Sequence, residues 1–288
     1  MGLGLQRKIG TTNPLGNLKI FSQFGYNDPM KPKTRKGIVE DWLPRYTGMP
    51  LEKFGPFILL TNFLDYLQRF ASRFQVEIYG NGGPMQAATN NKGITMINFG
   101  IGSPNAATIM DLLSAVAPQA VLFLGKCGGL KKQVGVGHFV LPIAAIRGEG
   151  TGLDYYPIEV PALPSFRLHD YLGHELKSRN EEYWTGVVYT TNRRVWEWDE
   201  QFKEHLRRIR AIGIDMETAT LFLVGHFNEI PRGALLLVSD RPMAPEGIKT
   251  SRSDRSVSQK YSDLHLDIGI ITMERLCDSE EEVKHLRY

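Results

Sequence analysis

Residues 212–242, IGIDMETATLFLVGHFNEIPRGALLLVSDRP, constrain the fold more than any other stretch of the chain. Residues 211–214 form a short apolar run, and Asp215-Met216-Glu217 stands at its end. Residues 218–228 carry a helical load of apolar side chains, Pro231-Arg232-Gly233 breaks the chain, and residues 234–238 are continuously apolar. A strand without polar alternation is covered on both faces, as in a sheet flanked by helices. Ser239-Asp240 closes that run before Arg241-Pro242 turns the chain away. A right-handed crossover would return the second strand parallel to the first. Ligands of open parallel sheets bind beyond the carboxyl ends of the strands, so Glu217 and Asp240 are expected on one shared edge. Read singly, Asp215 suits a helix N-cap and Asp240 suits a turn before Pro242. Their common placement favours a site.

The rest of the chain repeats this alternation. Residues 57–61 (FILLT), 94–99 (ITMINF), 120–124 (AVLFL), 138–143 and 185–190 read as strands; residues 63–74, 105–116, 166–178, 200–209 and 257–277 read as helices. Residues 38–46 (IVEDWLPRY) read as a short helix stopped by Pro44. Residues 148–164, rich in Gly, Pro and Tyr, are too irregular for a regular element, and long loops inside compact domains are often lids. Residues 244–255 read as a second, mobile loop. Strands alternating with helices argue for one α/β domain over residues 38–288. The first 37 residues hold a single acid, Asp28, and lack the apolar core of a secretory signal; they read as a flexible arm.

Composition excludes several classes. Of 288 residues, 42% are hydrophobic and 23% charged, enough for a large soluble core. A formal charge of +3 is too small to argue for nucleic acid, and no apolar run reaches the length of a membrane helix. Two cysteines, Cys127 and Cys277, suit neither a disulfide framework nor a zinc site, and the seven histidines show no metal spacing. No metal or cofactor is expected, and a reducing, cytoplasmic setting follows. Cys127 reads as a small buried residue, and His138 as a locally packed one.

Three further constellations carry chemistry. Gly100-Ile101-Gly102-Ser103-Pro104 lies between a strand and a helix, where backbone N–H groups and the helix dipole favour an anion. It lacks the Gly-Lys-Ser/Thr of a phosphate loop and the third glycine of a dinucleotide fingerprint. A tight turn with a capped helix explains the same residues. Lys126 sits in a glycine-rich turn at a strand end, within reach of a bound anion. Arg193 and Arg194 follow another strand, and paired guanidinium groups suit phosphate.

In order and spacing, FGIGSPNAATIMDLL, LFLGKCGGL, GIDMETAT and LLLVSD resemble the nucleoside phosphorylase/nucleosidase superfamily over roughly residues 57–277. VEDWLPRYT, IAAIRGEGT, YYPIEVPALP and TTNRRVWE are similar to its AMP nucleosidase subgroup, in a short form without the extra N-terminal domain. The resemblance implies a three-layer α/β/α fold around a mixed, barrel-like sheet. It also implies a homo-oligomer, commonly a hexamer built as a trimer of dimers. Met216 would pack on a ribose, and Glu217 would hydrogen-bond its 2′- and 3′-hydroxyls. Asp240, helped by Ser239, would protonate the purine, while Gly102 and Ser103 would fall near the ribose and anion pocket. Phosphorylases of this superfamily keep phosphate ligands where this chain has Asn62, Tyr66, Phe123 and Lys126. Water is therefore the expected nucleophile.

The resemblance implies cleavage of AMP to adenine and ribose 5-phosphate, with Arg45, Lys126 and Arg194 around the phosphate, Arg45 reaching it across a subunit interface. Small-molecule AMP is the expected partner, with room for a phosphate or nucleotide effector. Open beside it stand a nucleosidase for methylthioadenosine or another 5′-substituted nucleoside, a purine nucleoside phosphorylase, and a catalytically silent nucleotide sensor. No residue is identified as the activator of water.

Overall fold

The structure, a computed structural model, describes residues 34–279. The proposed arm lies outside the described residues up to position 33, but residues 35–37 belong to the first turn of a helix. The elements in chain order are α1 (Arg35–Thr47), β1 (Phe57–Thr61), α2 (Leu64–Phe74), β2 (Gln86–Thr89), β3 (Ile94–Asn98) and α3 (Ser103–Leu112). Then follow β4 (Ala120–Gly129), β5 (Phe139–Gly148), α4 (Phe166–Ser178), β6 (Tyr183–Thr191) and α5 (Glu200–Arg208). The chain closes with β7 (Gly213–Asp215), α6 (Thr218–Phe227), β8 (Arg232–Asp240) and α7 (Ser251–Asp278).

The strands form one mixed sheet in the order β2-β3-β1-β4-β7-β6-β5-β8, and β8 returns to pair with β4. Five strands thus close into a barrel, while β1, β3 and β2 extend from β4 as an open wing. One edge of β4 holds β1 at its start and β7 at its end, and the other edge holds β8 throughout. Side chains of β1, β4 and β8 alternate between two cores. Ile58, Leu60, Phe123 and Leu236 meet α1, α3 and α6, whereas Leu59, Leu122, Leu124 and Leu235 meet α2, α4 and α7. This double coverage is what the unbroken apolar runs require. It makes the fold three layers with a barrel-like centre.

Several expectations are corrected. The pair of strands around α6 is not parallel: β7 runs antiparallel to β4 and β8 parallel to it. The crossover rule applies to parallel strands of one sheet, and here the two strands flank β4 from opposite edges. Their acidic ends still converge, because β7 pairs only with Gly128 and Gly129 while β8 brings Asp240 opposite Gly128. Lys126 lies within β4 rather than in a turn, since the glycine-rich segment continues the strand between two neighbours. Pro44 does not stop α1; the donor it lacks would bond the Glu40 carbonyl on a half-exposed turn, and the helix continues to Thr47. The edge strand β2, built from QAAT, gives no hydrophobic period to read. Residues 251–255 are the first turns of α7, capped by a reciprocal Thr250–Ser253 pair, not loop.

No residue of the irregular 148–164 segment lines the cavity described below. Arg147 donates to the carbonyls of Tyr156 (2.7 Å), Pro157 (2.5 Å) and Val160 (3.0 Å), pinning the segment to the end of β5.

Gly128 has no room for a side chain. A Cβ there would stand 2.8 and 2.9 Å from the Pro242 ring and 3.2 Å from Ile214. Gly128→Ala is expected to destabilise the fold by about 1–3 kcal/mol, as overpacking of a filled core does. Thermal denaturation checks this, and an unchanged midpoint would show that the Pro242 turn yields freely.

Candidate active site

The ends of β1, β4, β6, β7 and β8 and the first turn of α7 enclose a cavity of about 460 Å³. Of the residues marked by the sequence, Lys126, Arg194, Met216, Glu217, Ser239 and Asp240 line it; Gly102, Ser103 and Arg45 do not.

The β7–α6 junction holds two buried carboxyl groups with different duties. Asp215 accepts hydrogen bonds from Thr190 Oγ1 (2.7 Å), from the N–H of Thr218 (2.7 Å) and of Glu217 (3.3 Å), and from the Thr218 hydroxyl. The N-cap position of α6 is Glu217, not Asp215 as expected; Asp215 instead reaches the first N–H of the helix from two residues before that position. Burial raises its pKa above the ordinary carboxylate range, and the four donors, which stabilise the charged form, offset part of that rise. Glu217 is pushed up to about 8 by burial and by the charge on Asp215. Opposing this shift, the N–H of Gly102 donates to Glu217 Oε1 at 2.8 Å, the N–H of Met216 to Oε2 at 3.2 Å, and the Asn62 side chain also bonds it.

The Gly100–Ser103 turn thus meets a carboxyl group of its own chain. Gly102, at φ +95°, adopts a conformation that favours glycine and aims its N–H at Glu217. Ser103 is buried and donates to the Met216 carbonyl at 2.8 Å rather than capping α3. Both residues position Met216 and Glu217 from behind.

Across the cavity, β8 is bulged: Cys127 pairs with Val238 and Gly128 with Asp240, so Ser239 is the extra residue. Its hydroxyl donates to Asp240 Oδ1 at 2.6 Å and lies 3.4 Å from the Cys127 carbonyl. Burial raises the Asp240 carboxyl above the ordinary carboxylate range, while Ser239, Lys249 and Arg194 pull it down. A protonated Asp240 can donate a hydrogen bond, which is what a general acid needs. Burial, reinforced by Asp215 and Asp240, holds the Cys127 thiol well above its usual range, so it is no nucleophile. His138 accepts from Trp184 Nε1 at 3.0 Å and from the Gly135 N–H at 3.1 Å, a local structural role.

The cations are differently placed. Lys126 is 4% exposed at its side chain; its ammonium donates to Ser258 at 2.7 Å and sits 4.3 Å from the centre of the Phe63 ring. Burial lowers its pKa, partly offset by Asp254. Arg194 is largely exposed at the rim and 3.4 Å from Glu197. Arg193 turns to Asp199 at 2.9 Å and stacks over Phe202. Arg45, on α1, pairs with Asp41 at 3.5 Å.

Sequence reasoning missed Lys249, Asp254 and Trp196, and gave Asn62 no role beyond a lost phosphate ligand; all four line the cavity. Lys249 and Asp254 meet Lys126 only through the packing of α7 on β4, which no local pattern announces. Among the described residues no group of three or more His, Cys, Asp or Glu side chains is placed to hold a metal ion, and no helix is long and apolar enough to cross a membrane.

Residues 56–265 match the Phosphorylase superfamily. AMP nucleosidase of Escherichia coli K12 is 30% identical across 81% of this chain, which spans 57% of that protein's length. The crystal structure of AMP nucleosidase from Bacteroides thetaiotaomicron VPI-5482 superposes with a TM-score of 0.77 at 51% identity, covering 85% of this chain and 98% of that one. Uridine phosphorylase from Vibrio fischeri ES114 shares the fold, with a TM-score of 0.70 at 22% identity over 80% of this chain and 94% of that one.

The raised Glu217 has a signed consequence for stability. Its folded pKa exceeds its ordinary value, so its contribution is complete below about pH 4.5 and is lost as pH rises through about 8. Glu217→Gln is therefore expected to gain on the wild type in melting temperature as pH rises across that window, by roughly 3 °C or more. A constant difference between the two proteins from acid to mildly alkaline buffer would refute the raised carboxyl.

Proposed function

Because the chain belongs to the Phosphorylase superfamily, we propose that it hydrolyses the N-glycosidic bond of AMP to adenine and ribose 5-phosphate. The observation that carries this reading is one cavity that holds a half-buried, upshifted Asp240, the Glu217 carboxyl and a group of cations. The similarity to two AMP nucleosidases supports the choice of substrate.

Breaking the C1′–N9 bond leaves positive charge on the ribose and an electron pair on the purine. Asp240 delivers its proton to the purine as the bond opens, with the Ser239 hydroxyl holding the carboxyl in place. Met216 packs on the sugar, and Glu217 bonds the ribose hydroxyls, contacts that tighten as the oxocarbenium ion forms. Water adds at C1′ and loses a proton. Glu217, raised into the neutral range, is suited to receive that proton in its ionised form. Asn62 bonds Glu217 and has a buried Oδ1 without a partner among the described residues, which offers the attacking water an acceptor beside that carboxyl. Solvent exchange then returns the proton to Asp240.

Lys126 and Arg194 serve the 5′-phosphate. Ammonium and guanidinium groups in the cavity favour a phosphate over the apolar thioether of methylthioadenosine. Arg45, 67% exposed on α1 and outside the cavity of its own chain, fits a contribution to a neighbouring subunit's site in a trimer of dimers.

Asp240→Asn is expected to lower AMP cleavage by about 10²–10⁴-fold, the usual worth of general-acid assistance. Incubation with AMP, IMP, adenosine and methylthioadenosine, with and without phosphate, tests the substrate. Chromatography should show adenine and ribose 5-phosphate from AMP, independent of phosphate. Equal cleavage of adenosine, or near-normal turnover of the Asn variant, would overturn the assignment.

A further inference from the structure

The cation cluster on the α7 side of the cavity is already occupied by a carboxylate. Asp254, in the first turns of α7, has its Oδ1 2.9 Å from Lys249 Nζ and 3.7 Å from Lys126 Nζ. The two lysines are 4% and 18% exposed at their side chains, while the side chain of Asp254 is 41% exposed. One oxygen is thus pressed between the buried Lys126 ammonium and the half-buried Lys249 one, and the rest of the group faces solvent. The contacts are mainly electrostatic: Oδ1 is buried, and the Lys249 ammonium at 2.9 Å is the closer of its two cationic neighbours. The two ammonium charges hold this carboxyl below the ordinary range, although burial opposes them.

Such an arrangement is easily exchanged. The backbone of Asp254 is fixed, since its N–H bonds the Thr250 carbonyl at 2.9 Å inside a capped helix start. Rotating the side chain towards solvent therefore releases Oδ1 without disturbing α7. It would leave two desolvated positive charges in the wall of a cavity that also holds Glu217 and Asp240. A phosphate oxyanion carries two charges against the one of Asp254, and more acceptor oxygens to share among the ammonium groups and the Ser258 hydroxyl beside Lys126.

We propose that Lys126 and Lys249 form an oxyanion seat in which Asp254 is an internal competitor, displaced when a phosphate group enters the cavity. This inference rests on the reading of the cavity as a nucleotide site, and it adds Lys249 and Asp254 as residues that set its selectivity. In the resting protein Asp254 satisfies the two lysines. It also screens the cavity against weak monoanions, because only a ligand of higher charge density outcompetes a tethered carboxylate. The phosphate can belong to the substrate or be inorganic phosphate.

The test uses the full chain and two measurements. Titration calorimetry with inorganic phosphate, on wild type, Asp254→Asn and Lys249→Met, reads the seat without any turnover. The Asn variant is expected to bind phosphate about tenfold more tightly, and the Met variant at least tenfold more weakly. Steady-state kinetics with AMP then separates the sources. If the substrate's phosphate takes the seat, KM for AMP follows the same order and inorganic phosphate inhibits competitively. If only free phosphate takes it, calorimetry moves and KM for AMP does not. Phosphate affinity unchanged in Asp254→Asn, with the melting temperature preserved, overturns the proposal. Failure to cleave AMP at all overturns the function above but leaves the calorimetric answer intact.

Discussion

Strand β4 has β8 along one edge and β1 and β7 at the two ends of the other, and all ten of its residues are buried. Backbone groups in such a place need partners from the protein, and neighbouring strands supply most of them, with the Thr61 and Ser239 hydroxyls reaching the Leu124 and Cys127 carbonyls. That requirement draws β1 and β7 to one edge and β8 to the other, and it closes the barrel. The glycines at 125, 128 and 129 let the neighbouring elements approach; at Gly128 the Pro242 ring and Ile214 occupy the space of a side chain. The carboxylic acids of the site come from the strands on either side of this spine.

Electrostatics inside the cavity follow from burial more than from pairing. Asp215, Glu217 and Asp240 are all raised by desolvation, and what separates them is the supply of donors. Asp215 receives four hydrogen bonds, which stabilise its charged form against burial. Glu217 receives backbone N–H groups from Gly102 and Met216 but lies beside that charge. Asp240 has a serine and two distant cations. Three identical functional groups thereby acquire a structural, a sugar-binding and an acidic character.

The sequence made the layers, most strands and the two key acids legible because these depend on local runs. Residues 234–238 announce a doubly covered strand whatever surrounds them, and Asp215-Met216-Glu217 must follow a strand end. Strand direction was not legible: the reversal of β7 relative to β8 depends on barrel closure, which involves strands distant in sequence. The role of the Gly100–Ser103 turn was half visible. Its N–H groups do face a carboxyl group, but that group belongs to Glu217, more than a hundred positions away. Lys249 and Asp254 escaped because neither has a pattern of its own; they matter only where α7 crosses β4.

The bonds from Asp215 to the first turn of α6 join the floor of the cavity to a deeply packed helix, in which eight of ten residues are buried. Groups anchored there open to solvent only with the core itself, so the floor belongs to a protected cooperative unit of the fold. Substitutions at Asp215, Thr190 or Thr218 would be felt as loss of folding before they were felt as altered chemistry. The rim formed by residues 191–198 and 241–254 lacks that coupling. Descendants of this chain that acquire new ligand preferences would therefore change at the rim, while the floor passes from one to the next almost unaltered.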